Sequence, residues 1–117
     1  MPFDPSAVRR WLEDINHHIG LAQTFAAGMD YVALSDDLRT TCAVIRCLEI
    51  ISEASRRLPD ELKERHPAIA WRNMAGAGNV YRHDYEDVAV SLVWIVLQDH
   101  LPPLRIMVEQ ELAILGD

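Results

Sequence analysis

Between residues 79 and 88 the chain reads NVYRHDYEDV, with Tyr81, Arg82, His83, Asp84 and Tyr85 in five consecutive positions. No other stretch concentrates so many groups able to hold, donate or accept a proton. An imidazole such as His83 titrates near neutrality and can take or give a proton during a reaction. The guanidinium groups of Arg82 and of Arg72, ten residues upstream, can neutralise a phosphate. Tyr81 and Tyr85 offer faces on which an unstacked base can rest, one route by which single-stranded RNA is held. A polar turn between two helices would account for the same residues, and neighbours on a helix point apart, so spacing alone leaves both readings open.

Other constellations are weaker. Glu13/His17 and Asp14/His18 are pairs one turn apart, but they lack the His-Glu-x-x-His order of a zinc helix, and no cysteine pair supports them. A solvated helix face explains them, and no metal or other cofactor is expected. His66 and His100 each adjoin a helix boundary, where an imidazolium suits exposed carbonyls. Arg46, Glu49, Glu53 and Arg57 fall on one helical face, either as a salt-bridged exposed seam or as the polar wall of a cleft. Cys42 and Cys47 point about 140° apart on a helix and read as small buried hydrophobes rather than a disulfide.

These residues belong to a chain of 117 residues, half of them hydrophobic and a quarter charged, as expected of one folded domain spanning 1–117. A net charge of −7 argues against a general nucleic-acid clamp, though not against a local basic cleft. Of the 11 basic residues only Lys63 is a lysine, and the arginines favour ion pairs or phosphate contacts. MPFDPSAVRRW shows no signal peptide. The longest apolar run, VAVSLVWIVL, is about half of the ~20 residues needed to span a bilayer. A soluble cytoplasmic protein with no membrane association is the expectation.

Asp4-Pro5 predicts a helix start, Asp as cap and Pro in the first turn. Val8, Trp11, Leu12, Ile15, Ile19 and Ala22 then recur at helical spacing until Gly28. Residues 28–37 read as a connection in which Ser35 or Asp36 caps the next helix. That helix carries Leu38, Cys42, Ile45, Leu48, Ile51 and Ser52 and stops before Pro59. A short helix follows at 60–65, then another from about Ala68 through Ile69, Trp71 and Met74. The last runs from about Glu86 to Leu115, broken or kinked at Pro102-Pro103. No stretch alternates with a period of two, so the fold class is all-α. Residues 88–97 are apolar almost all round, which predicts cover from a second subunit as well as from the bundle.

The ordered set Arg46-Cys-Leu-Glu49, Glu53-Ala54, Pro67-Ala-Ile69-Ala-Trp71, His83-Asp-Tyr85, Val93-Trp94 and Leu101-Pro-Pro-Leu104 resembles the HepT-like branch of the HEPN superfamily. These are the toxin halves of MntA/HepT-type toxin–antitoxin pairs. The resemblance covers 44–104 and implies an up-and-down, dimeric helical bundle acting as a metal-independent ribonuclease. It implies attack of the RNA 2′-hydroxyl on its own phosphate, with His83 as acid or base and an arginine stabilising charge on phosphorus. It further implies a partner, an MntA-like nucleotidyltransferase antitoxin that attaches AMP to Tyr85. The chain departs from the family at Ser52, where Gly is usual, and at the Arg-Asn pair before the histidine, which is here Gly78-Asn79. Asn79 matches, while Arg82 or Arg72 would have to stand in for the missing arginine. The alternative is a catalytically impaired HEPN protein that serves as a binding partner of a nucleotidyltransferase.

Overall fold

The computed structural model describes residues 4–74 and 87–116, apart from the side chains of 87–89. It is all-helical, with no strand among the described residues. The elements are α1 (Pro5–Phe25), α2 (Tyr31–Asp36), α3 (Leu38–Arg57), α4 (Asp60–Glu64), α5 (Asp87–Ile95), a π-helical turn (Val96–His100) and α6 (Leu101–Leu115). A helical stretch at 71–74 lies between α4 and α5.

α1 begins as expected. Asp4 caps it by accepting from the Ser6 N–H at 2.9 Å, and Pro5 needs no such bond. Val8, Leu12, Ile15, Ile19 and Ala22 form its buried stripe, facing α3 and α6. Leu12, Ile15 and Ile19 are fully buried, each worth about 1.5–3 kcal/mol of transfer free energy. The helix ends at Phe25, and Gly28 at φ +77° turns the chain back, a conformation that costs glycine little.

Residues 28–37 hold a helical turn, α2, where a plain connection was predicted. Asp30 caps it through the Ala33 N–H at 2.8 Å, and the fully buried Leu34 anchors it. Asp37, rather than Ser35 or Asp36, caps α3 by accepting from the Thr40 N–H at 3.0 Å. This main-chain bond, helped by the Thr40 hydroxyl, holds the Asp37 carboxyl below its ordinary range. The Thr41 hydroxyl donates to the Leu34 carbonyl at 2.9 Å and so satisfies itself inside the core.

That bond also sets which face of α3 is buried. The stripe runs through Thr41, Val44, Cys47, Leu48, Ile51 and Ser52, whereas Leu38 is 76% exposed and Cys42 is exposed. Two expectations are corrected here: Leu38 and Cys42 lie one row round the helix from the core. Cys47 is buried as predicted, and loss of solvent raises its thiol pKa.

The last helix does not break at Pro102-Pro103. Helical geometry is continuous from 87 to 115, and the five residues before α6 adopt the wider π form. A proline ring collides with the carbonyl four residues back and removes one N–H. A wider turn just upstream relieves both problems without ending the helix.

Candidate functional site

The segment holding the candidate chemistry is entered from α4 and left through α5, and both stems are tied down. On the entry side the tie comes from α6. Glu111 is 3% exposed, and the Arg65 guanidinium and the His66 ring both meet its carboxyl. Arg65 donates from Nη2 to Oε1 at 2.7 Å and from Nε to Oε2 at 3.3 Å, a two-pronged pairing. His66 Nε2 lies 2.6 Å from Oε2. Burial alone would push the Glu111 carboxyl up, but the bonds from Arg65 and then His66 outweigh it and hold the group below its ordinary value.

The main chain of His66 carries the tie forward. Its carbonyl accepts the Trp71 indole N–H at 3.0 Å and the Ile69 amide N–H at 3.1 Å. The Trp71 amide in turn donates to the Ile69 carbonyl at 2.9 Å, and the Lys63 ammonium lies 5.8 Å from the centre of the Trp71 ring. Ring, amide and carbonyl together make 66–71 a compact knot from which the 71–74 stretch departs. Met74 is buried beyond it, and the exposed Arg72 lies on its outer side.

On the exit side the tie comes from α2. The Tyr31 hydroxyl and Ser91 Oγ are 3.0 Å apart, and the Tyr31 ring meets Trp94 edge-on at 6.0 Å between centroids. Val93 points into the core with no exposed surface. Thus α2, absent from the sequence expectation, is the brace for the helix that follows the motif.

Of the predicted site residues, Arg72 is described and lies in the solvent. Asn79, Arg82, His83 and Tyr85, together with Gly78, lie outside the described residues. Arg46, Glu49, Glu53 and Arg57 share a face as expected, and both readings of that face hold. Arg46 pairs with Glu49 at 3.6 Å and Arg57 with Glu53 at 3.1 Å, while Arg56 also bonds Glu53. Those arginine bonds, Arg56 first, hold the Glu53 carboxyl below its ordinary range. The same face, with Trp11 and Asp14 of α1, lines a groove of about 340 Å³. At the other candidate positions, the His18 ring turns to the Asp14 carbonyl at 2.7 Å rather than to a carboxylate. No group of three metal-ligating side chains occurs among the described residues. No described helix is long and apolar enough to cross a membrane.

Sequence reasoning assigned His66 to a helix boundary and missed Glu111. The available signal was one acidic residue in the otherwise apolar register Leu101, Leu104, Met107, Val108, Glu111. Such a residue demands a cation, but nothing local names one 45 positions away.

An all-helical frame among the described residues, with a His-x-Tyr motif in the sequence between α4 and α5, defines the class, and comparison with known proteins gives the family. The family described as "Ribonuclease HepT-like" matches residues 15–111, and the chain belongs to it. The chain is 38% identical over 95 residues to a Thermococcus cleftensis protein named "Probable ribonuclease HepT", covering 81% of this chain and 86% of that one. A candidate RNase of Methanocaldococcus jannaschii is 31% identical over 102 residues, 87% of this chain and 94% of its own. Another, from Caldanaerobacter subterraneus, is 30% identical over 102 residues, 87% and 91% of the two chains. No solved structure matches the chain.

Proposed function

We propose that the protein is a metal-independent endoribonuclease and the toxin of a toxin–antitoxin pair. The observation that carries this is the family match over 15–111, which encloses the whole of the His83-Asp-Tyr85 motif. The two tied stems support it, since proton transfer demands a placed rather than a drifting imidazole.

In this reading His83 removes the proton of an RNA 2′-hydroxyl, or returns one to the departing 5′-oxygen. The bond from phosphorus to O2′ forms as that to O5′ breaks. Arg82 or Arg72 neutralises the phosphoryl oxygens, with Asn79 beside them as a hydrogen-bond donor. DNA has no 2′-hydroxyl and is not a substrate. The active form is a homodimer of a single domain spanning 1–117, working in the cytoplasm. The exposed Ile95 of α5 and Val32 of α2 favour a subunit contact there. An MntA-like nucleotidyltransferase silences the enzyme by transferring AMP to Tyr85. The resulting phosphodiester charge occupies the arginine that would otherwise hold RNA, and the adenosine fills the cleft.

Gly78 favours a second reading, in which a chain without the motif arginine binds the nucleotidyltransferase but cleaves nothing. One experiment separates them. Purified parent and His83→Ala are incubated with total RNA without metal, and a general acid–base role predicts a loss of ~10²–10⁴-fold in the variant. Cleavage by the variant at the parental rate sinks the assignment of His83. A parent that is silent while Gly78→Arg cleaves establishes the second reading.

A further inference from the structure

Glu111 is a buried charge that the proposed chemistry does not use. Its place on α6, far along the chain from the motif, has no local purpose: its neighbours Met107 and Val108 are apolar core. A leucine there would fill the volume, and replacing a buried ion pair by apolar groups is often neutral or favourable for stability. The carboxylate is therefore better explained by what it holds. It grips two consecutive residues, Arg65 by both guanidinium prongs and His66 by its ring. Holding two neighbours at once anchors the chain at Arg65–His66 against α6 at two points. The carbonyl of the second anchored residue, His66, is the acceptor for both the Trp71 indole and the Ile69 amide. From Trp71 the chain goes directly to Arg72 and the buried Met74.

We infer that Glu111 is a positioning residue: through His66 and Trp71 it sets the direction of the 71–74 stretch, from which the chain leads on to the catalytic motif. It touches no substrate. Its activity arm rests on the ribonuclease reading above, and its structural arm does not. The link is a relay of three contacts: carboxylate to imidazole at 2.6 Å, carbonyl to indole at 3.0 Å, and the main-chain bond from Trp71 to Ile69 at 2.9 Å.

The test uses the full chain as Glu111→Gln, which keeps shape and removes charge. Glu109→Gln is the control, the same change on an exposed turn of α6. Two readouts are taken: the Trp71 indole N–H resonance, assigned among the three tryptophans with Trp71→Phe, and RNA cleavage. In Glu111→Gln the indole signal is expected to move and its hydrogen exchange to quicken by about tenfold. Because a misplacement of ~1 Å can cost ~10²-fold, kcat is expected to fall at least about tenfold with KM changed by less than about twofold. Glu109→Gln should match the parent in both. Trp71→Phe breaks the next contact in the relay and leaves the pairings of Glu111 intact, so it should lose kcat to the same degree. The double variant should lose little more, because both act through one path. An indole signal unmoved in Glu111→Gln overturns the inference, even if the parent cleaves RNA. So does a moved signal with kcat unchanged, or a double variant whose losses multiply. A parent that cleaves no RNA while the indole signal moves overturns the ribonuclease reading and upholds the positioning.

Discussion

Glu111→Gln also makes a stability prediction whose sign depends on pH. In the folded protein the carboxyl sits below its ordinary value of 4.5, since Arg65 and His66 outweigh the burial that raises it. A carboxyl depressed on folding binds fewer protons folded than unfolded, so its contribution is present above the unfolded value and lost as pH falls through the folded one. Hydrogen bonds to charged groups are each worth roughly 1.5–3 kcal/mol net. Desolvation of the carboxylate subtracts from the sum, and the Arg65 side chain is 47% exposed and can turn to water in the variant. A net loss of about 2–3 kcal/mol near neutral pH follows for the glutamine. With a urea slope of ~1–3 kcal/mol/M for a small domain, the midpoint should fall by about 1 M. The assay is urea unfolding followed by tryptophan fluorescence, parent against variant, at about pH 7 and about pH 3.5, either side of the ordinary glutamate range. The gap should be largest at the higher pH and shrink at the lower, because below the ordinary glutamate value the unfolded parent takes up a proton that the folded carboxylate resists. An equal gap at both values would refute the argument. A gap under about 0.5 kcal/mol at neutral pH would show that Arg65 and His66 find equivalent partners in water.

Two further outcomes are expected. On the proposed reading, incubation with an MntA-like nucleotidyltransferase, ATP and Mg²⁺ should add one adenylyl mass on Tyr85 with release of pyrophosphate, and none in Tyr85→Phe; modification confined to Tyr31 or Tyr81 would refute the assignment. A thiol reagent should label the exposed Cys42 at once and the buried, pKa-raised Cys47 only on unfolding, and equal labelling of both in the native protein would contradict the α3 register.

What could be read in advance divides by the range of the forces involved. The cap at Asp4, the α1 stripe and the all-helical class come from spacings within a few turns, and they appear in the structure as expected. The six residues of α2 are too few to show a period, and their stability comes from Leu34 meeting the core. On α3 the apolar residues alone suggested a row through Leu38 and Cys42. The buried row instead admits Thr41, whose hydroxyl is satisfied by a carbonyl outside the helix, a pairing that composition does not disclose. The Glu111 cluster joins residues 45 and 46 positions apart and was illegible for the same reason. The motif was the most legible part as a pattern of residue types. Its membership in a known family is shown, while the roles of His83, Tyr85 and the arginines rest on that kinship and on the chemistry of the groups.

The π-helical turn at Val96–His100 carries a consequence for tolerance to change. In an α-helix each residue advances the azimuth by about 100°, so the number of residues between two points is a phase angle. Upstream of the turn, that phase aims Val93 at the core and Ser91 at Tyr31; downstream it aims Leu104 and Glu111 inward. The five residues between act as a vernier between two halves of one rod. Val96 and Leu97 face the core, whereas Gln98 and Asp99 are exposed, so substitution at those two should be mild. Removing a single residue would swing one half by about 100° against the other. Either Glu111 would leave Arg65 and His66 or Ser91 would leave its brace, and the two stems of the motif would lose their common reference. In this stretch Val96 and Leu97 must stay apolar for the core, while at Gln98 and Asp99 the count of residues matters more than their identity.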